Sequence, residues 1–258
     1  MERDQSGGIR FLPDRPGGPI GTILASLSPE AHSAVVASSE IRKLATGEIL
    51  VQRGVYPTEI GCVLSGALGM VQFRADGKRH IVGLLTANDI CGRLFDGPND
   101  FQIEALAPTD VYLFNRDFFE TLLRDEPAAE ILFLNELRGE IDAAREWLML
   151  IRGRQVLHRV AGFLSLLARR TQVRHKRGVA TVKLPLSRAN LAQLLNTSPE
   201  SLSRTFQKIA NMGKIRIVQI NNFEIVDIVG LEAIAKLDAA LIDLLPPPAQ
   251  RTEGRRQE

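Results

Sequence analysis

Residues 187–213, SRANLAQLLNTSPESLSRTFQKIANMG, constrain the fold of this chain more than any other stretch. They predict two helices joined by the turn Asn196-Thr197-Ser198. Ser187 stands as N-cap of a first helix over 188–195, because a serine oxygen accepts from an orphan amide of the first turn. Ser198 takes the same position before Pro199, and a proline there loses no helical hydrogen bond. On the second helix Leu202, Phe206 and Ile209 share one face; Glu200, Ser203 and Arg204 share the other, at i, i+3 and i+4. One apolar face behind a short polar face describes a helix that enters a major groove. Spacing alone also allows an ordinary solvated helical hairpin.

Charge distribution favours the groove reader. The whole chain carries a formal charge of only +2. Within 153–226 stand Arg154, Arg159, Arg169, Arg170, Arg174, Lys176, Arg177, Lys183, Arg188, Arg204, Lys208, Lys214 and Arg216, against Glu200 and Glu224 alone. A small basic domain joined to an acidic remainder is the electrostatic footprint of a polyanion binder. Phosphate contacts would supply most of its affinity and the salt dependence.

The bulk numbers frame this. A length of 258 residues suffices for two modest domains, and the 45% hydrophobic and 24% charged content is that of a soluble globular protein. No apolar run reaches the ~18 residues a membrane span needs, so no membrane partner is expected. The N-terminus lacks the apolar centre of a signal peptide. Cys62 and Cys91 are too few for a disulfide framework, which fits a reduced, cytoplasmic setting.

Along the chain, the sequence predicts a flexible arm over 1–20, then one or two short helices with Ser28-Pro29-Glu30 as a start signal. From Ile41 to Phe114 short β-rich runs alternate with Gly, Asp and Asn. Asp76-Gly77 marks a hairpin among them. Such punctuation implies a small antiparallel roll, over 21–126 with its flanking helices. A long helix follows from Pro127, over 127–153. Leu134, Ile141 and Leu148 recur on it every seven residues, as do Leu137, Ala144 and Ile151. That is the a/d seam of a coiled coil, although a helix packed on its own domain shows a similar pattern. A break near Gly153 precedes a basic domain over 154–245. Its remaining parts are a helix over 155–170, a strand over 179–184, the hairpin runs 215–220 and 223–226 about a turn at Asn221-Asn222, and a last helix over 230–244. The Pro-rich tail, 246–258, is expected to be disordered. The fold class is therefore α+β: an antiparallel roll, a dimerisation helix and a winged helix-turn-helix. Nothing in it looks catalytic, since no nucleophile–base set, metal-ligand spacing or phosphate-binding glycine loop is visible.

In this order of parts the chain resembles the Crp/Fnr family of bacterial transcription regulators over about 21–245. The motifs that carry the resemblance are GEILVQRG, LSGALGMV, ANDICGR, RVAGFLSLLARR and, above all, LPLSRANLAQLLNTSPESLSR. The Glu-x-x-Ser-Arg pattern resembles the Fnr and FixK side of the family. The resemblance implies a homodimer reading an inverted repeat of TTGAT half-sites, with RNA polymerase as a further partner. It assigns base reading to Glu200, Ser203 and Arg204. The chemistry agrees: Arg204 can pair bidentately with guanine, Glu200 can accept from cytosine N4, and Ser203 suits either base type or thymine. Arg188, Thr197, Ser198 and Lys208 are expected at phosphates. A signal reaching the roll would act through the junction near Ile151–Gln155, around Gly153.

The sensor half departs from the family pattern. Where cyclic-nucleotide-binding members carry a Gly-Glu-Leu cassette followed by Arg-Ser, this chain has Gly92-Arg93-Leu94 and then Phe101-Gln102. A phosphate would lose its cationic and hydroxyl partners. Two cysteines cannot complete the four-thiolate set of an iron–sulfur cluster. No cofactor is expected, neither cyclic nucleotide nor cluster. Haem or thiol sensing remains the alternative, with His32, His80 and Cys91 as candidate ligands and Cys91, Arg93 and His80 as candidate sensor residues.

Overall fold

The computed structural model describes residues 16–95, 97–153, 155–170 and 180–236. The elements run α1 (Gly18–Ala25), α2 (Pro29–Ala37), β1 (Ser39–Leu44), β2 (Ile49–Val51), β3 (Glu59–Ser65), β4 (Ala67–Phe73), β5 (Arg79–Thr86), β6 (Ile90–Cys91), β7 (Gln102–Ala105) and β8 (Thr109–Asn115). Then come α3 (Arg116–Asp125), α4 (Pro127–Ile151), α5 (Val156–Arg170), β9 (Ala180–Lys183), α6 (Arg188–Leu194), α7 (Pro199–Asn211), β10 (Ile215–Gln219), β11 (Asn222–Ile225) and α8 (Ile228–Lys236). They form two compact units, one of residues up to Glu146 with Lys183–Glu200, the other of Trp147–Val182 with residues from Ser201 onward.

In the first unit, two four-stranded antiparallel sheets, β1-β8-β3-β6 and β2-β7-β4-β5, make the roll. Alternation along a strand sends successive side chains to opposite faces. On β3 and β8, Val63, Val111 and Leu113 turn into the roll interior with Leu44, Leu68 and Ile103. Ile60, Cys62 and Phe114 turn outward onto a second core built from α1, α2, α3 and the start of α4. There Phe114, Phe119 and Phe133 form a chain of rings with centroids 4.6 and 6.2 Å apart. Gly61 permits the close approach of β3 to β8: a Cβ there would lie 1.7 Å from the Tyr112 carbonyl oxygen. The expected hairpin forms between β4 and β5, with Gly77 at φ 75°.

Ser28 caps α2 by accepting from the Ala31 amide at 3.3 Å, and its hydroxyl also donates to Glu126 at 2.8 Å. The helical region begins at Gly18, inside the stretch expected to be a flexible arm; Ile20, Ile23 and Leu24 are buried and hold that helix in the core. Residues 1–15 lie outside the described residues.

In the second unit α5 packs against α8, and β9, β10 and β11 form a small sheet with β11 central. The wing turn sits one residue earlier than expected. Gln219 pairs with Asn222, so Ile220 and Asn221 make the turn. The register shifts between Ile217 and Gln219, and the extra residue at Val218 moves the pairing by one, as a bulge does. The last helix is described only through Lys236, and the tail over 246–258 lies outside the described residues.

Candidate nucleic-acid interface

Ser187 caps α6, its Oγ accepting from the Asn190 amide at 3.1 Å. The Thr197 amide donates to the Ala192 carbonyl at 2.8 Å and closes the helix. Asn196 between them takes φ 49°, a left-handed conformation that asparagine tolerates better than most residues. The chain therefore turns sharply into α7, whose first residue is Pro199 as expected.

Helix α7 is sharply two-faced. Leu202, Phe206 and Ile209 are buried, and Phe206 stacks on Phe223 of the wing with centroids 4.6 Å apart and planes 17° apart. Glu200, Ser203, Arg204 and Lys208 are exposed. Glu200 also lies in the first turn, where its charge complements the helix dipole. Of the other residues expected at phosphates, Ser198 is exposed while Thr197 and Arg188 are half-buried. Burial lowers the Arg188 pKa from its ordinary value, but an arginine stays charged at neutral pH.

The basic excess is smaller in the fold than in the sequence. Lys214 pairs with Asp227 at 2.6 Å and Arg216 with Glu224 at 2.5 Å. The hydrogen bond from Lys214 pulls the Asp227 carboxyl below its usual pKa. Arg159 is buried and donates to the Gly153 carbonyl at 2.5 Å, at the junction after α4. Lys183 and Arg169 are exposed. Arg154, Arg174, Lys176 and Arg177 lie outside the described residues, as does the side chain of Arg170.

Along α4, Leu134, Ile141 and Leu148 remain 55%, 53% and 56% exposed, and Ile151 and Ala144 are exposed with them. Leu137 differs: it packs partly on the helical core of its own roll. Its place in the seam is therefore shared with intrachain packing, because the first turns of α4 carry Ala129 and Phe133 into that core.

The candidate sensor residues are not gathered into one site. His80 stands opposite Gln72 on the β2-β7-β4-β5 sheet, while Cys91 stands opposite Gly61 on the other sheet. His32 lies on α2. Cys91 and Cys62 are neighbours on paired strands but face different cores. Burial pushes the Cys62 thiol up to about 12 and raises that of Cys91 as well. Cys91 and Gly92 line a cavity of about 240 Å³ with Leu50, Val55, Tyr56 and Leu113, and neither His32 nor His80 reaches it. Arg93 pairs with Asp100 at 2.6 Å. Phe101 and Gln102 follow Asp100 directly in the chain.

One contact had no signal in the sequence. Arg79, at the start of β5, joins Glu104 of β7 to Gln193 of α6. The two partners lie 25 and 114 residues away, so no local spacing announces them.

The chain matches the cyclic nucleotide-binding domain model over residues 41–126 and the Crp-like helix-turn-helix domain model over 158–234. It is 30% identical over 192 residues to the nitrogen fixation regulation protein FixK of Bradyrhizobium diazoefficiens, covering 74% of this chain and 79% of that one. It is 29% identical over 206 residues to the transcriptional activator protein FnrL of Cereibacter sphaeroides, covering 73% and 82%. The solved structure of FixK2 from Bradyrhizobium japonicum superposes with a TM-score of 0.67 at 20% identity, over 76% of this chain and 96% of that one.

Proposed function

We propose a specific task for this chain, which belongs to the Crp/Fnr family of transcription regulators on its Fnr/FixK branch: reading an inverted repeat of TTGAT-like half-sites as a homodimer. The carrying observation is the exposed face of α7, where Glu200, Ser203 and Arg204 stand opposite the buried Leu202, Phe206 and Ile209. The apolar face fixes the helix against its own domain, so the polar face is presented on a rigid support. Arg204 donates to guanine O6 and N7, Glu200 accepts from cytosine N4, and Ser203 completes the half-site. Lys208, Ser198, Thr197 and Arg188 position the backbone.

The exposed stripe of Leu134, Ile141 and Leu148 supports pairing of two chains along α4. Two-fold pairing sets the half-sites about 34 Å apart, one helical turn of DNA. RNA polymerase is the partner through which a bound regulator acts. The processes controlled are those of oxygen-limited or nitrogen-oxide metabolism, as the resemblance to the Fnr and FixK side of the family implies; one relative is a nitrogen fixation regulation protein. We read DNA binding as needing no resident cofactor: Arg93 pairs with Asp100 where the family's phosphate cassette would lie, and burial raises the pKa of both thiols.

The test is an Arg204→Ala variant assayed on a TTGAT-N4-ATCAA duplex and on single-base variants of it. A base reader loses about 1–3 kcal/mol, concentrated at one base-pair position. Uniform weakening across all sequences would reduce Arg204 to a phosphate contact and refute the assignment. An absorption spectrum of the same sample is expected to show no Soret band; a band would overturn the cofactor reading.

A further inference from the structure

We infer that Arg79, a residue of the roll, is a positioning residue for DNA reading: anchored on the buried carboxylate of Glu104, it grips helix α6 through Gln193. The inference rests on the DNA-reading proposal above. Glu104 is only 8% exposed, and a carboxylate taken out of water needs a charged partner and filled lone pairs. Arg79 supplies both, donating from Nε at 2.8 Å and from Nη2 to Glu104 Oε1. Gln102 Nε2 donates to the other oxygen at 2.7 Å. The guanidinium is a rigid planar fork, so fixing its Nε–Nη2 edge also fixes where Nη1 points. Nη1 points at α6. It donates to Gln193 Oε1 at 2.9 Å and lies 3.5 Å from Asn190 Oδ1.

Asn190 and Gln193 are i and i+3 on α6 and share one face, away from Leu191 and Ala192, which are buried. Helix α6 in turn sets the entry to the reading helix, since the Thr197 amide closes onto Ala192. Neither gripped residue belongs to the reading set. Ser198 and Glu200, in the same compact unit as the grip, remain exposed. An inhibitory contact would cover the residues that meet DNA; this one leaves them open and orients the helix behind them.

The experiment is a double-substitution cycle on the full chain, with Arg79→Lys, Gln193→Ala and the pair, read as Kd for the TTGAT-N4-ATCAA duplex across a salt series. Gln193→Ala leaves the Arg79–Glu104 pair intact and so guards against a mere folding defect. Each single substitution is expected to weaken binding by about two- to tenfold, as loss of one hydrogen bond of ordinary net strength implies. The double variant is expected to be no weaker than the worse single one. The slope of log Kd against log salt stays unchanged. Independent effects that multiply, or an unchanged Kd in Gln193→Ala, overturn the inference. A slope reduced by about one in an Arg79→Gln variant makes Arg79 a phosphate contact instead. Amide hydrogen exchange over residues 191–195 is measured on the free protein, where faster exchange in Gln193→Ala is expected and unchanged exchange speaks against the grip. If the wild-type chain ignores the TTGAT duplex, the DNA-site proposal fails, while the exchange data still decide whether the grip exists.

Discussion

Replacing Ile141 by serine tests the dimer along α4 most directly. Ile141 is 53% exposed in the single chain and is flanked one heptad away by Leu134 and Leu148 at 55% and 56%. Fully burying an isoleucine side chain is worth about 1.5–3 kcal/mol, so roughly half of that, about 0.8–1.5 kcal/mol, is still to be gained when α4 meets a partner. A two-fold interface counts the residue twice. Ile141→Ser should therefore cost about 1.5–3 kcal/mol per dimer, which raises the dimer Kd roughly 10- to 150-fold. Sedimentation equilibrium across a concentration series reads this constant. Gly139, where an added methyl meets nothing within 4 Å, provides the control on the same helix, and Gly139→Ala should leave the dimer Kd unchanged. A wild-type chain that stays monomeric, or an Ile141→Ser variant that dimerises as tightly as the parent, would refute the assignment of this stripe to the interface.

Further predictions concern the roll and the junction. Cys62 and Cys91 should resist alkylation in the native protein at pH 8 and react only at the rate of unfolding, because burial keeps both thiols protonated. The sign follows from a raised folded-state pKa: stability is intact below the unfolded thiol value of about 8.5 and is lost as pH climbs toward the folded value of about 12 for Cys62. Rapid native labelling of either thiol would contradict this. Gly61→Ala drives a methyl into the Tyr112 carbonyl, so β3 and β8 must part, and denaturant titration should register a loss on the order of 3 kcal/mol or more. Gly153→Ala places a Cβ 3.2 Å from both the Leu150 carbonyl oxygen and Arg159 Cγ. It should alter DNA affinity if the segment between α4 and α5 sets the reading geometry; unchanged binding in a duplex titration would remove that role.

Local chemistry made much of this protein legible. Ser28 and Ser187 cap their helices because the serine oxygen answers a need of the next turn, whatever lies further off. Asp76-Gly77 turns the chain because glycine enters φ 75° without cost. The two faces of α7 follow from a period of 3.6 residues, so Glu200, Ser203 and Arg204 could be set opposite Leu202 and Phe206 from spacing alone. The wing shows where this stops. Asn221-Asn222 was the obvious turn by residue type, but register belongs to two strands at once, and the bulge near Val218 moved the turn to Ile220-Asn221. Leu137 fitted a heptad, yet the packing of α4 on its own roll draws it toward the helical core.

Sequence by itself determined the element order, the family and the two faces of α7, because these depend on contacts within a few residues and on motifs that chemistry keeps together. Tertiary structure alone decided three other matters. It placed Cys62 and Cys91 on opposite sides of one sheet, each in its own core. It buried Arg159 and paired Lys214 and Arg216 with carboxylates, the Arg216 pair remaining at the surface. It brought Arg79, Glu104 and Gln193 within hydrogen-bond reach across more than a hundred residues of chain. Such contacts carry no periodicity, since the partners meet only after the sheets and helices have packed.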